Sequence, residues 1–302
     1  MAGLTLRPAE ARDVERAGDI NFVAFYRVAL EHGIVPAVTT PAESHRYLRY
    51  LLGFAPLGGV VAEDDGRLVG VAWVHPRGPV ATIGPVAVDP RAWGRGIGRQ
   101  LTERCLEIAG RGVPQVRLVQ ESHNLRSLAL YLRLGFRVVA PLLELERPAG
   151  PPPAVPPSPP GTAPRGATDD DRARIVARDA RAFGAARPQS IDLYLRHGRV
   201  LVAERGRNLV GYALGIGFEG TAFLGSAAAD DGDVLLLLLA TATAELAERG
   251  LAIRILVPAG DRALVDGLLA LGFRIFRACH YMVRGGGTAP PPNYVLMNGD
   301  MM

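Results

Sequence analysis

"VAVDPRAWGRGIGRQL", Val86 to Leu101, carries an alternation of apolar residues into a turn with glycine at 94, 96 and 98, and then into a helical pattern. The alternation predicts a strand ending at Val88, and the later periodicity predicts a helix from about Ile97 to Ala109. The first turn of a helix has amide N–H groups with no carbonyl partner, and the macrodipole makes that end positive. Glycines there let the backbone approach an anion closely, so the turn reads as a phosphate cradle with Arg95 and Arg99 at its rim. A mononucleotide loop needs GxxxxGK[ST], and the chain contains no lysine. A dinucleotide fingerprint needs GxGxxG after the first strand of a parallel unit, whereas these glycines read GxGxG after a hairpin.

That hairpin occurs twice. "GGVVAEDDGRLVGVAWV" (Gly58 to Val74) and "GRVLVAERGRNLVGYAL" (Gly198 to Leu214) both read as strand, charged glycine turn, strand. Downstream, "VRLVQESHNLRSLALYLRLGFRVV" (Val116 to Val139) matches "IRILVPAGDRALVDGLLALGFRIF" (Ile253 to Phe276), with Gly135 opposite Gly272 at an offset of 137. Each copy runs strand, loop, helix, glycine, strand, the order of a mixed α/β domain. Between them "RPAGPPPAVPPSPPGTAPRG", Arg147 to Gly166, has the composition of an extended polyproline segment. At ~3.1 Å per residue such a linker reaches roughly 50 Å. The expected organisation is a first domain over 1–147, a Pro-rich linker over 148–164 and a degenerate second copy over 165–302.

The 302 residues, 48% hydrophobic and 21% charged, are those of a globular chain of two domains. The longest apolar run, Val234 to Ala240, is far below the ~18 residues of a membrane span, and no apolar leader opens the sequence. The expectation is a soluble cytoplasmic protein with no membrane partner. A net charge of +4 arises entirely from arginines scattered among Asp and Glu, with only 6% aromatics, so no nucleic-acid partner is expected. Cys105 and Cys279 lie far apart in apolar surroundings, which suits buried reduced thiols; no metal site is expected.

The glycine turn, followed by Asn124 and by "LYLRLGF" around Tyr131, resembles the GNAT superfamily of acyl-CoA-dependent N-acyltransferases over most of residues 4–147. The resemblance implies an α/β fold of two GNAT-like mixed-sheet domains in tandem, with acetyl-CoA as cosubstrate. It implies that the strand before the turn splays from its neighbour and pairs with the pantetheine arm through the backbone of Val86 and Val88. The pyrophosphate would meet Arg95, Gly96, Ile97, Gly98, Arg99 and Gln100, and the arm would meet Asn124 and Ser127. Trp93 stands where the family often has Gln or Arg. Transfer to an amine requires removal of a proton from an ammonium titrating near ~10 and delivery of one to the departing thiolate. The resemblance gives the acid role to Tyr131, whose alternative is a core aromatic; Asn124 has the alternative of a helix N-cap. No acid occurs in "TIGPVAV", where the family often carries a Glu, so the base is open among Glu121, His75 and a water chain. The implied activity is N-acetylation of a primary amine on a small molecule or peptide, with a non-catalytic acyl-CoA-binding regulatory module as the alternative.

The second copy, "TAFLGSAAADDGDVLLLLLATATAEL" from Thr221, has "DDGD" in place of the glycine turn. Asp230, Asp231 and Asp233 would repel a pyrophosphate, Leu268 replaces the Tyr and Asp261 the Asn. A silent second copy that makes the chain an intrachain pseudo-dimer, as a monomer or within a homodimer, is the expectation. The tail from Gly285 is expected to be ordered only near Tyr294 to Met297.

Overall fold

Residues 3–54, 58–110, 112–218 and 220–297 are described in a computed structural model. Strand β1 (Leu4–Pro8) is followed by helices α1 (Val14–Glu31) and α2 (Pro41–Phe54), then by β2 (Gly59–Asp64) and β3 (Arg67–Arg77). Asp65 and Gly66 both take positive φ, the backbone of a tight hairpin turn, and pair Asp64 with Arg67 across it. Next come β4 (Val80–Val88), α3 (Ile97–Ala109), β5 (Gln115–Glu121) and α4 (Leu125–Arg133). Strands β1 to β5 lie side by side in chain order, antiparallel except for β4 and β5.

Period-two alternation sorts the side chains. Val60, Ala62, Ala72, Val74, Ala81 and Ile83 face one way and close a core with Ile97, Leu101 and Cys105 of α3. Val61, Val71 and Trp73, on the opposite face, are also buried, on the side where α1 packs its apolar stripe Ala17, Ile20, Ala24 and Val28. Helix α3 approaches so closely that a Cβ at Gly70 would lie 2.9 Å from Leu101 Cδ1.

The chain divides into two compact units, and the division falls between Arg137 and Val138, ahead of the boundary at 147 expected from the sequence. The first unit comprises residues 1–137 together with Met282–Gly287. Met282 is buried in the same core as Tyr131 and Phe136, Gly286 N–H donates to Pro114 O at 3.1 Å, and Arg284 Nε donates to Leu134 O at 3.0 Å.

The second unit begins with β6 (Arg137–Arg147), which sequence reading assigns to the first domain. It pairs antiparallel with β11 (Ala252–Pro258), from Leu142 opposite Pro258 to Arg147 opposite Ile253. The physical reason for the difference is that a strand's alternation says which face is apolar and nothing of its partner, which here lies more than 100 residues along the chain. Pro-rich residues after Arg147 lack regular structure up to β7 (Thr162–Gly166). Then follow α5 (Arg172–Phe183), α6 (Pro188–His197), β8 (Arg199–Arg205), β9 (Asn208–Phe218), β10 (Thr221–Ala229) and α7 (Gly232–Glu248). After β11 come α8 (Arg262–Ala270), β12 (Arg274–Gly285), which belongs to the second unit as far as Tyr281, and the short β13 (Tyr294–Val295). The unit's strands run in the order β12-β6-β11-β10-β9-β8-β7, over a core of Val234, Leu235, Leu238 and Leu239 from the nearly all-apolar α7. No helix among the described residues is long and apolar enough to cross a membrane.

Candidate active site

Strand β4 pairs with β5 only from Val80 to Thr82, opposite Gln115 to Arg117. Beyond Thr82 the two parallel strands fork. On its other edge β4 stays paired with β3 as far as Val88, after an irregularity between Ala72 and Val74. Asp89 N–H donates to Val69 O at 2.8 Å, which fixes the alternation: the backbone N–H and C=O of Val86 and Val88 turn away from β3, into the fork. Both side chains pack against the α3 core, so the fork has an apolar floor.

The fork leads directly into the turn. Asp89 caps a single helical turn at Pro90–Ala92, its Oδ1 accepting from Arg91 N–H at 3.0 Å. The Arg91 hydrogen bond dominates in lowering its carboxyl to about 2, against the effect of burial. Gly94 and Gly96 then adopt φ of +79° and +77°, and a Cβ at either would meet nothing within 4 Å. The first helical bond of α3 runs from Gln100 N–H to Gly96 O at 3.1 Å, so Ile97, Gly98 and Arg99 present amides without intrahelical acceptors. Left-handed glycines, open space and convergent amides fit the diphosphate of coenzyme A.

The structure alters the expected rim. Arg95 is paired with Asp64 at 2.7 Å and Arg99 with Glu103 at 2.9 Å, although such exposed pairs are weak and can exchange for a phosphate. The Arg126 guanidinium lies 4.4 Å over the Trp93 ring, joining α4 to the turn, and the Trp93 indole N–H donates to Val88 O at 2.7 Å. Sequence reading passes over Arg126 because its link to the turn exists only in three dimensions. It notes Trp93 as a departure, but the indole's hold on the strand depends on the fold.

Asn124 caps α4: its Oδ1 accepts from Ser127 N–H at 3.1 Å, and Ser127 Oγ donates to Asn124 O at 3.0 Å. Gln120 Nε2 donates to both Asn124 O, at 2.8 Å, and Ser127 Oγ, at 3.1 Å. Tyr131 is 8% exposed, packed edge-on to Phe136 and clustered with Ile97, Val86 and Val88. Glu121 ends β5, its Oε2 3.4 Å from His123 Nε2, and the His123 ring lies 5.4 Å from that of His32. His75, in contrast, is 2% exposed, and burial, aided by the Arg77 charge, lowers its pKa to about 3. It is a neutral imidazole inside the sheet, which speaks against a direct exchange of protons with solvent. Among the described residues no group of His, Cys, Asp and Glu could hold a metal ion.

Residues 28–136 match the model of the acetyltransferase (GNAT) family, and residues 175–296 match that of an acetyltransferase (GNAT) domain. The chain belongs to the GNAT superfamily. Its two GNAT domains stand in tandem, as in the tandem GNAT protein of the clavulanic acid biosynthesis pathway. That structure superposes with a TM-score of 0.64 at 19% identity, covering 95% of this chain and 99% of the other. A GCN5-related N-acetyltransferase from Sphaerobacter thermophilus superposes at 0.70 and 18% identity, covering 95% and 98%. Among sequences, the mycothiol acetyltransferase of Thermomonospora curvata is 45% identical over 86 residues, 28% of this chain and 29% of that protein. The match therefore spans less than a third of that relative's length.

The second GNAT unit keeps the framework and loses the cradle. Gly211 meets Leu238 and Val234 of α7 as Gly70 meets Leu101 and Ile97 of α3, which aligns the two helices. Between strand and helix stand eight residues in the first unit, Asp89 to Gly96, and two in the second, Asp230 and Asp231. Asp231 Oδ1 accepts from Val234 N–H at 2.9 Å, so a carboxylate occupies the end of α7.

Proposed function

We propose that the first unit is an acetyl-CoA-dependent N-acetyltransferase acting on a primary amine, and that the second takes no part in the chemistry. The observation that carries this reading is the fork after Thr82, which opens into a glycine turn with unpaired helix amides. Those amides and the guanidinium groups of Arg95, Arg99 and Arg126 would bind the diphosphate. The Val86 and Val88 backbone would orient the arm, with the Val88 carbonyl shared with, or released from, the Trp93 indole. The cosubstrate supplies an activated acetyl thioester.

In the transfer a C–N bond forms at the acetyl carbon as the C–S bond breaks. Tyr131 Oη, on a side chain buried among apolar neighbours, gives its proton to the leaving sulfur. Glu121, beside His123, takes the proton released by the amine. The first acceptors to test are amines related to mycothiol, the class named by the curated relatives, alongside simple alkyl amines and peptide N-termini.

The test mixes the full chain with acetyl-CoA and each acceptor and follows free CoA thiol together with the mass of the product. Acceptor-dependent thiol release matched by an acceptor gaining one acetyl group is the expected result. Tight CoA binding with no transfer to any amine would favour the regulatory binding module.

A further inference from the structure

The second unit has its own fork. β10 and β11 pair in parallel only from Thr221 to Leu224, opposite Ala252 to Ile255, and the β9–β10 register breaks between Leu224 and Ala227. Asp230 N–H donates to Val210 O at 2.9 Å, as Asp89 does to Val69 at 2.8 Å. Ala227 and Ala229 therefore hold the positions of Val86 and Val88, with their backbone groups turned into the opening.

This fork is filled by the chain's own tail. Ala229 N–H donates to Asn293 O at 3.2 Å, and β13 continues the pairing with Val295 opposite Ala227 and Tyr294 opposite Ala228. On its other side the segment reaches β11, where Leu296 N–H donates to Leu256 O at 3.1 Å. Alternate tail residues thus bond alternate walls, as in a strand inserted between two others. The tail passes at backbone contact: a Cβ on Gly225 would lie 2.1 Å from Leu296 O. Side chains lock it further. Arg187 Nη2 donates to Tyr294 Oη at 3.0 Å, while the same guanidinium is paired with Asp179 at 2.7 Å, and Ser226 Oγ donates to that carboxylate at 3.0 Å. All four residues are buried.

A pantetheine arm carries two amides whose N–H and C=O groups can bond to a strand edge as a peptide's do, so a peptide strand can stand where such an arm binds. We propose that Asn293–Met297 is a built-in occupant of the second unit's counterpart of the cofactor fork, completing that unit's fold and keeping it closed to acyl-CoA. This rests on the reading that the first unit's fork takes the pantetheine arm. The Tyr294–Arg187–Asp179 network makes the tail a fixed part of the unit rather than a strap that lifts when CoA is added.

Hydrogen exchange on the full chain, with and without saturating CoA, tests it. Amides of Ala227 to Ala229 and of Tyr294 to Leu296 should be protected without any ligand and unchanged by CoA, while those of Val86 to Val88 gain protection. Val295→Pro, which removes the donor facing β10, should speed exchange at Ala227 to Ala229 by about tenfold or more. Tyr294→Phe, which keeps the strand and loses only the hydroxyl bonded to Arg187, should speed exchange there too, but by less than Val295→Pro does. Unprotected Ala227 to Ala229 in the ligand-free chain, or a CoA-induced loss of protection at Tyr294 to Leu296, would overturn the proposal. Failure of Val86 to Val88 to respond to CoA, with the tail protected, would instead sink the reading of the first unit and leave the closed second fork standing.

Discussion

At Gly96 the backbone is left-handed and a Cβ would enter open space, so a side chain there costs conformational strain without a clash. Gly96→Glu should therefore fold, yet place a carboxylate where the diphosphate is to bind; calorimetry should find CoA affinity reduced by at least about a hundredfold. A folded variant of unchanged affinity would remove the basis for the cradle. Tyr131→Phe keeps the edge-on contact with Phe136 and loses only the hydroxyl, so kcat should fall roughly 10- to 1,000-fold with CoA affinity retained. An unaltered kcat would make Tyr131 a packing residue alone. His75 is a residue of stability. Its folded pKa, near 3, lies below the usual 6.5, so as pH falls the unfolded chain takes up the proton first. The stability this neutral imidazole contributes is complete above pH 6.5 and is lost progressively towards pH 3, at up to about 1.4 kcal/mol per pH unit. Urea titrations between pH 7 and 4 should show a shallower decline for a folded His75→Leu variant; parallel slopes would refute the assignment.

Among the elements, strand β4 and helix α4 are tied to the turn by one stack. The Trp93 indole holds the Val88 carbonyl and carries the Arg126 guanidinium on its face. Arg126→Ala removes a cation beside the cradle, so the KM for acetyl-CoA should rise about three- to thirtyfold with kcat little changed, and the rise should shrink as ionic strength increases. A KM that does not move would leave the guanidinium as cover for the indole. The second unit shows the converse arrangement. There the strand-to-helix connection is shorter, and a carboxylate caps α7 where amides stand open at α3.

For the whole molecule the exchange of terminal segments has the largest consequence. A fragment of residues 1–150 lacks Met282 to Gly287, including a methionine buried beside Tyr131 and Phe136, and carries β6 without its β11 partner. Loss of one such core side chain typically costs about 2–5 kcal/mol. Thermal denaturation of the fragment should therefore show a midpoint lower by about 10 °C or more than that of the first unit in the full chain, both measured without ligand. Equal midpoints would show that the first unit folds independently of the distant segment.

The repeat, the hairpins and the glycine turn are all legible in the sequence, because each depends on residues a few positions apart: alternation in "GPVAV", Asp65-Gly66 at a tight turn, glycines at 94 and 96 before a helical run. The Asp-rich substitution for the cradle is equally local. Tertiary structure decided what the alternation alone leaves open, namely which copy receives β6 and which receives Met282 to Gly287, since a strand's pattern says which face is apolar and nothing of its partner. It also brought Asp64 to Arg95 and Arg126 to Trp93, and enclosed His75 within the sheet. Order near Tyr294 can be anticipated from its apolar neighbours. That Tyr294 to Leu296 lie in a fork between β10 and β11 follows from hydrogen bonds to strands 40 or more residues upstream, and a sequence records such pairing only through the chain's packing.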